Sequence, residues 1–224
     1  MEKIDFKKAD RRFYTAKTDQ WVLVDVPEWQ FLQVDGQGDP NSAPDYSNAV
    51  LALYRLSYGL KFRSKSVHGR DYVVGPLEGL WWADDMDAFR SGDRAAWKWR
   101  MMIRQPDWID GSDLDAVRAA MSAKPGEDAV RREKAQSVSL VSFREGMVLQ
   151  RLYFGPYADE APVLIDLHDR FLPENGFSPT GRHHEIYLND PRKVAPDKIK
   201  TILRQPVDLA GDSTGAVING AQAG

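Results

Sequence analysis

The segment Arg182-His183-His184-Glu185-Ile186-Tyr187-Leu188 concentrates two imidazoles, a carboxylate and a phenol within five consecutive positions. It reads as a strand. Side chains alternate along a strand, so Ile186 and Leu188 share one face while His183, Glu185 and Tyr187 share the other. The apolar face is expected to pack on the helices. The other face, lining a cleft between two abutting sheets, then presents an acid between an imidazole and a phenol. Glutamate is rarely buried without a partner, so a cleft-facing Glu185 is solvated, salt-bridged or held for a ligand.

Aromatic residues surround this segment. Of the chain's 7 tryptophans and 8 tyrosines, Trp81, Trp82, Trp97, Trp99, Tyr46, Tyr72, Tyr153 and Tyr187 fall in or near the predicted sheets and first helix. A rim of rings around one carboxylate suits flat, lipophilic or cationic molecules, with stacking and cation–π attraction of about 0.5–2 kcal/mol per contact. Trp81 and Trp82 are adjacent on a strand and point to opposite faces, so at most one faces the cleft. The expected ligand-binding set is Tyr46, Tyr72, Trp82, Trp99, Tyr153 and His183.

Other chemistries are not expected. The chain has no cysteine, which removes disulfides and thiolate catalysis. A metal site is not expected, because His183 and His184 point opposite ways, His68 and His168 are isolated, and no His-Glu-x-x-His occurs. No cofactor is expected either: Gly36 and Gly38 lead into Asp39-Pro40 rather than a third glycine, without a βαβ context. A Gly-x-Ser-x-Gly nucleophile turn is absent. The net charge of −3 at pH 7, with mixed signs along the chain, provides no basic field for nucleic acid. No apolar run approaches the roughly 20 residues of a membrane span. Met1 to Asp10 is charged where a signal peptide is apolar, so a cytoplasmic location is expected.

The elements that must hold these residues can be read along 224 positions. Residues 1–20 read as a polar leader. Val22–Val26 and Trp29–Val34 read as strands, ending at the Gly36–Pro40 break. Ser42 is a candidate cap for a helix whose stripe is Val50, Leu53, Leu56 and Leu60, with Gly59 weakening its last turn. Asp71–Val74 and Leu77–Trp82 flank a Gly75-Pro76 turn. Ala95–Arg104 alternates Trp97, Trp99, Met101 and Ile103 against Lys98, Arg100 and Arg104. A helical connector over 111–136, split at Pro125-Gly126, reads as a solvated linker. Val138–Phe143 and Val148–Phe154 are strands, and Gly155-Pro156 turns into a helix over 158–172, closed by Gly176. Arg182–Leu188 and Ile199–Arg204 complete the pattern, and 208–224 reads as a disordered tail.

Met102-Ile103-Arg104-Gln105-Pro106 returns as Ile202-Leu203-Arg204-Gln205-Pro206. Each copy closes a strand-helix-strand-strand run. The predicted architecture is therefore α+β: duplicated modules over about 21–110 and 137–207, related by a pseudo-two-fold axis, with antiparallel sheets flanking a central ligand cleft.

The second module resembles the GyrI-like small-molecule-binding proteins, relatives of the effector-binding domains of multidrug-responsive transcription activators. The resemblance is carried by Gly155-Pro156-Tyr157, Gly176, Arg182 to Pro191, and Lys200 to Pro206. In the first module Val34 to Pro40, Tyr72 to Trp82 and Lys98 to Pro106 are similar to the family's stand-alone branch, so that it spans about Trp21 to Val207. This resemblance implies a ligand groove between the copies and an acid, at Glu185, that meets cationic drugs. Part of that branch hydrolyses the strained cyclopropane of DNA-alkylating natural products in an aromatic cage, which implies Glu185 as the residue activating water. Tyr187, Tyr46 or Tyr72 would then donate toward the phenolate oxygen. The alternatives are a sequestering protein without turnover, or a module docking on another protein as a gyrase-inhibitory relative does.

Overall fold

The computed structural model describes residues 3–85, 87–123 and 128–210. It has the expected α+β class with a large antiparallel sheet. The strands are β1 (Lys3–Ile4), β2 (Val22–Gln37), β3 (Asp71–Tyr72), β4 (Leu77–Trp82), β5 (Lys98–Gln105), β6 (Ser139–Phe154), β7 (Phe177–Pro179), β8 (His183–Tyr187) and β9 (Lys200–Leu209). The α-helices are α1 (Phe6–Ala9), α2 (Arg11–Tyr14), α3 (Pro44–Arg63), α4 (Asp87–Ser91), α5 (Gly111–Ser122), α6 (Ala129–Ser137), α7 (Ala161–Asp166) and α8 (Leu172–Glu174).

Hydrogen-bonded neighbours run β6-β2-β5-β4-β8-β9-β7, and β6 pairs again with β9. The halves have matching internal orders, β2-β5-β4 and β6-β9-β8, and they join where β4 pairs with β8 and β2 with β6. Arg104 and Arg204, the centres of the sequence echo, sit on β5 and β9 at the same place in this order. Because β4 and β8 are bonded directly, the two halves share a continuous sheet.

One face of that sheet carries the long helices. Leu53, Leu56 and Leu60 of α3 are fully buried against Leu32, Val34, Trp81, Trp99, Met101 and Ile103. Each such leucine contributes about 1.5–3 kcal/mol by burial. In the second half Leu167, in the π-helical turn Leu167–Phe171 that continues α7, joins Leu172 against Trp21, Leu149 and Leu203. The reverse face is closed by the N-terminal residues, where Phe6, Phe13 and Tyr14 pack with Tyr72, Val148, Ile186 and Ile202.

Several expectations are corrected by tertiary contacts. The apolar face of β8 does not pack on α3 and α7. Ile186 instead lies under the N-terminal segment, which buries Phe6, Phe13 and Tyr14 and is no polar leader. Glu185 therefore shares the face that bears the long helices. The connector is not a solvated linker either, since Leu114, Val117 and Ala135 enter the core beside α3. Val117 also explains Gly59: a Cβ there would stand 2.4 Å from Val117 Cγ1, so the glycine admits α5 and the helix runs on through it. Ser42 is not the cap, which is Ala43 followed by Pro44 at the first helical position. The two predicted strands at 138–154 are one, bent at Gly146 with φ +76°. β9 continues to Leu209 because β7 pairs with it, so Asp208 and Leu209 belong to the sheet and not to the expected tail, of which residues 211–224 lie outside the described residues.

Candidate functional site

Strand pairing fixes the neighbours of Glu185. It lies opposite Gly79 of β4 and Leu203 of β9, with Trp81 opposite His183. Gly79 leaves room on the sheet surface, since a Cβ there would meet the Trp81 indole nitrogen at 3.0 Å and Met101 Sδ at 3.1 Å. The Tyr187 hydroxyl donates to Glu185 Oε2 at 2.8 Å and accepts from Trp81 Nε1 at 3.0 Å. His183 Nε2 stands 3.6 Å from Glu185 Oε1, and neither nitrogen of that imidazole has a hydrogen-bond partner. The Glu185 side chain keeps 13% of its surface exposed.

A second acid lies near enough to feel the Glu185 charge. Glu160 precedes α7 but makes no capping hydrogen bond. Only 3% of the residue is exposed, and its Oε1 has no partner. Burial, with the nearby Glu185 charge adding to it, pushes the Glu160 carboxyl up to about 10, while the Thr201 hydroxyl beside it pulls the other way. Two carboxyls in an apolar setting resist simultaneous ionisation, and the more buried one keeps its proton. Desolvation and the same Glu185 charge raise the Tyr46 and Tyr157 hydroxyls, and Tyr187 is raised strongly for the same reasons. These phenols stay protonated as donors.

Rings frame the two acids. Tyr46, in the first turn of α3, stacks on Trp81 at 6.2 Å and meets Trp99 edge-on at 5.2 Å. Tyr157, in the short turn Tyr157–Asp159 before Glu160, meets Tyr187 edge-on at 5.3 Å and is 39% exposed, placing it at the mouth.

The profile of the GyrI-like small molecule binding domain matches residues 20–208. The chain belongs to this GyrI-like family. A Listeria innocua protein described as uncharacterized and conserved is 39% identical to this GyrI-like chain, with a TM-score of 0.81 over 92% of it and 100% of the relative. A protein from the same organism described as a hydrolase is also 39% identical, with a TM-score of 0.76 over the same shares of the two chains. The C-terminal domain of EcmrR, 13% identical with a TM-score of 0.53 over 85% of this chain and 98% of that domain, shares the fold. No functionally curated relative matches the GyrI-like chain.

Among the residues read from the sequence, the structure brings together Glu185, Tyr187, His183 and Tyr46. It separates the others. Trp82 points to the reverse face, where the Arg182 guanidinium lies 3.4 Å from its ring centroid, and the indole beside Glu185 is that of Trp81. Tyr72 is buried on the far side of the sheet with Phe6, and its hydroxyl donates to Gln105 Oε1 at 3.0 Å. Trp99 is wholly buried behind Tyr46, against Gly36, where a Cβ would overlap the indole at 2.0 Å. Tyr153 lies near Glu160 but turns its hydroxyl to the Pro156 carbonyl at 3.3 Å. Sequence reasoning missed Glu160, Tyr157 and Trp81. The one available signal was an acid three residues after Tyr157 of the Gly155-Pro156-Tyr157 turn, at a helix start where Ala161-Pro162 follows. Among the described residues no cluster of His, Asp or Glu has the arrangement to hold a metal ion. No helix among them is long and apolar enough to cross a membrane.

Proposed function

We propose that this GyrI-like domain binds a flat, apolar electrophile between Tyr46, Tyr157 and Trp81 and hydrolyses its strained cyclopropane ring. The supporting observation is Glu185, held by the Tyr187 hydroxyl, near a buried Glu160 whose carboxyl is raised to about 10 by burial and by the Glu185 charge. One acid can take a proton while the other gives one.

In this reading Glu185 accepts a proton from a water molecule as its oxygen bonds to the cyclopropane methylene carbon. The breaking ring bond sends its electron pair through the conjugated system to the carbonyl oxygen, which becomes a phenol by taking a proton from Glu160 or Tyr46. Water is added and no redox partner is needed. General acid and base assistance of this kind contributes about 10²–10⁴ each. Tyr157 must swing aside to admit the ligand, which its exposed position in a short turn permits. The hydrolase description of the Listeria relative agrees with turnover. The matching strand orders of the halves agree with a duplicated module whose copies have diverged, since Leu77, opposite Tyr187, provides no second acid.

Incubation with a cyclopropane-bearing alkylator and mass analysis tests this. Accumulation of the water adduct beyond the spontaneous rate supports hydrolysis. Saturable quenching of tryptophan fluorescence without adduct would replace it with sequestration.

A further inference from the structure

A groove rich in positive charge lies away from Glu185. A space of about 570 Å³ is lined by Lys7, Lys8, Arg11, Tyr14, Thr15, Leu188 and Lys200. Four of these seven residues are cations and none is an acid. That is unusual in a chain of net charge −3.

Many cations elsewhere are ion-paired. Arg63 bonds Asp113, Arg90 bonds Asp169, Lys98 bonds Asp84, Arg100 bonds Asp35 and Arg170 bonds Asp166. Among the described residues Lys7, Lys8, Arg11 and Lys200 have no such ion pair. The acids nearest in sequence are engaged elsewhere: Asp5 accepts from the Lys7 backbone amide at 3.1 Å, and Asp10 holds Arg104 at 2.7 Å. Lys200 has a ring instead, with its Nζ 5.3 Å from the centroid of Phe154.

The fold holds these cations together. Phe6 and Tyr14 are anchored in the reverse-face core, fixing α1 and α2 beside the start of β9. The Leu188 amide donates to the Lys200 carbonyl at 3.0 Å, which fixes the opposite wall. Uncompensated like charges in one concave surface repel each other and raise the local concentration of anions. An oligophosphate matches this chemistry because it spreads several negative charges along a short chain, each able to accept charge-assisted hydrogen bonds. We infer that the groove over α1, α2 and the start of β9 is a binding site for a soluble oligophosphate, separate from the acid pair. Leu188 is the only aliphatic residue in the lining, which offers little to insert into a lipid surface.

Calorimetric titration of the full chain with inorganic triphosphate tests the inference. Saturable binding near one equivalent is expected, weakening as salt is raised. The double variant Lys8→Glu/Arg11→Glu should weaken it roughly tenfold or more, and Lys200→Ala should weaken it less. Lys65→Glu, outside the groove, should leave it unchanged. The lining residues other than Tyr14 and Leu188 are exposed, and circular dichroism checks that each variant folds; if the double variant does not, Lys200→Ala alone decides. Absence of saturable heat up to about 1 mM ligand, or equal affinity in wild type and the folded groove variants, would overturn the site. Binding to vesicles of anionic lipid without binding to triphosphate would also overturn it.

Discussion

On one face of β8, His184 lies between two carboxylates, with Nδ1 2.8 Å from Glu145 Oε1 and Nε2 3.1 Å from Glu78 Oε2. Arg204 Nη1 reaches Glu145 Oε2 at 2.9 Å, the Tyr14 hydroxyl donates to Glu78 Oε1 at 3.2 Å, and the Arg204 guanidinium also donates to the Phe13 carbonyl. One residue further on, on the other face, the nearby Glu185 charge acts on the buried Glu160, and the basic group beside Glu185 is the His183 imidazole at 3.6 Å. The first group balances two negative charges with two positive ones and is almost wholly buried. The second leaves His183 and a Glu160 oxygen without a hydrogen bond, whereas in the first His184 Nε2 and Glu78 Oε2, also not hydrogen-bonded, stand in ionic contact at 3.1 Å. Burial is substantial on both faces, so what separates the two groups is whether each buried charge has been matched.

Glu185→Gln provides the sharpest contrast. Hydrolysis of the cyclopropane substrate should fall by about 10²–10⁴, while the melting temperature stays within a few degrees of wild type. A variant with unaltered kcat would remove Glu185 from the reaction. Arg204→Met should do the reverse, leaving Glu78 and Glu145 undercompensated at a cost of about 3–5 kcal/mol. Thermal unfolding should drop by roughly 10 °C or more, and a loss below about 1 kcal/mol would show that the cluster carries little.

The two faces should also separate by pH. Burial lowers the His184 imidazole, but Glu145 and Glu78 outweigh it and bring it up to about 9 from an ordinary 6.5. Its stabilisation is fully present below pH 6.5 and is lost as pH rises toward 9. Glu145 behaves oppositely. Despite burial, His184 and Arg204 hold it down to about 2 from 4.5, so its contribution is present above pH 4.5 and is lost as pH falls toward 2. Denaturant titrations should show stability declining at both ends.

Glu160 has no cation to hold. Its carboxyl, raised to about 10, makes the folded state keep a proton that the unfolded chain releases above 4.5, so its contribution is present below pH 4.5 and declines as pH rises toward 10. Glu160→Gln cannot ionise, and its melting temperature relative to wild type should rise between pH 5 and 9, by roughly 2–4 °C per kcal/mol relieved. A variant less stable than wild type at pH 8 would contradict the protonated acid. The smallest effect is expected from Tyr157→Ala at the mouth. Removing that ring should change KM for a bulky ligand severalfold, with little change in thermal stability.

Much of this contrast was legible in advance. Alternation along Arg182–Leu188 placed His183, Glu185 and Tyr187 together because a strand has a period of two residues. The echo at Arg104 and Arg204 was legible too, but it belongs to the reverse face, where Arg104 lies over Trp29 and Phe6 and Arg204 holds Glu145. Trp81 and Trp82 were known to oppose each other. Which of them faced Glu185 depended on the register of β4 against β8, a long-range pairing that local pattern does not encode.

The sequence by itself determined where most of the sheet runs, the first long helix, the family and the acid on β8, since each follows from local periodicity or from contiguous motifs. Only the tertiary structure decided that the N-terminal residues close the reverse face, that Tyr72 and Trp99 are packed away, and that Glu160 comes to Glu185. Those outcomes depend on contacts between distant segments, because the burial that sets a side chain's exposure and its proton is contributed by residues far away in the chain.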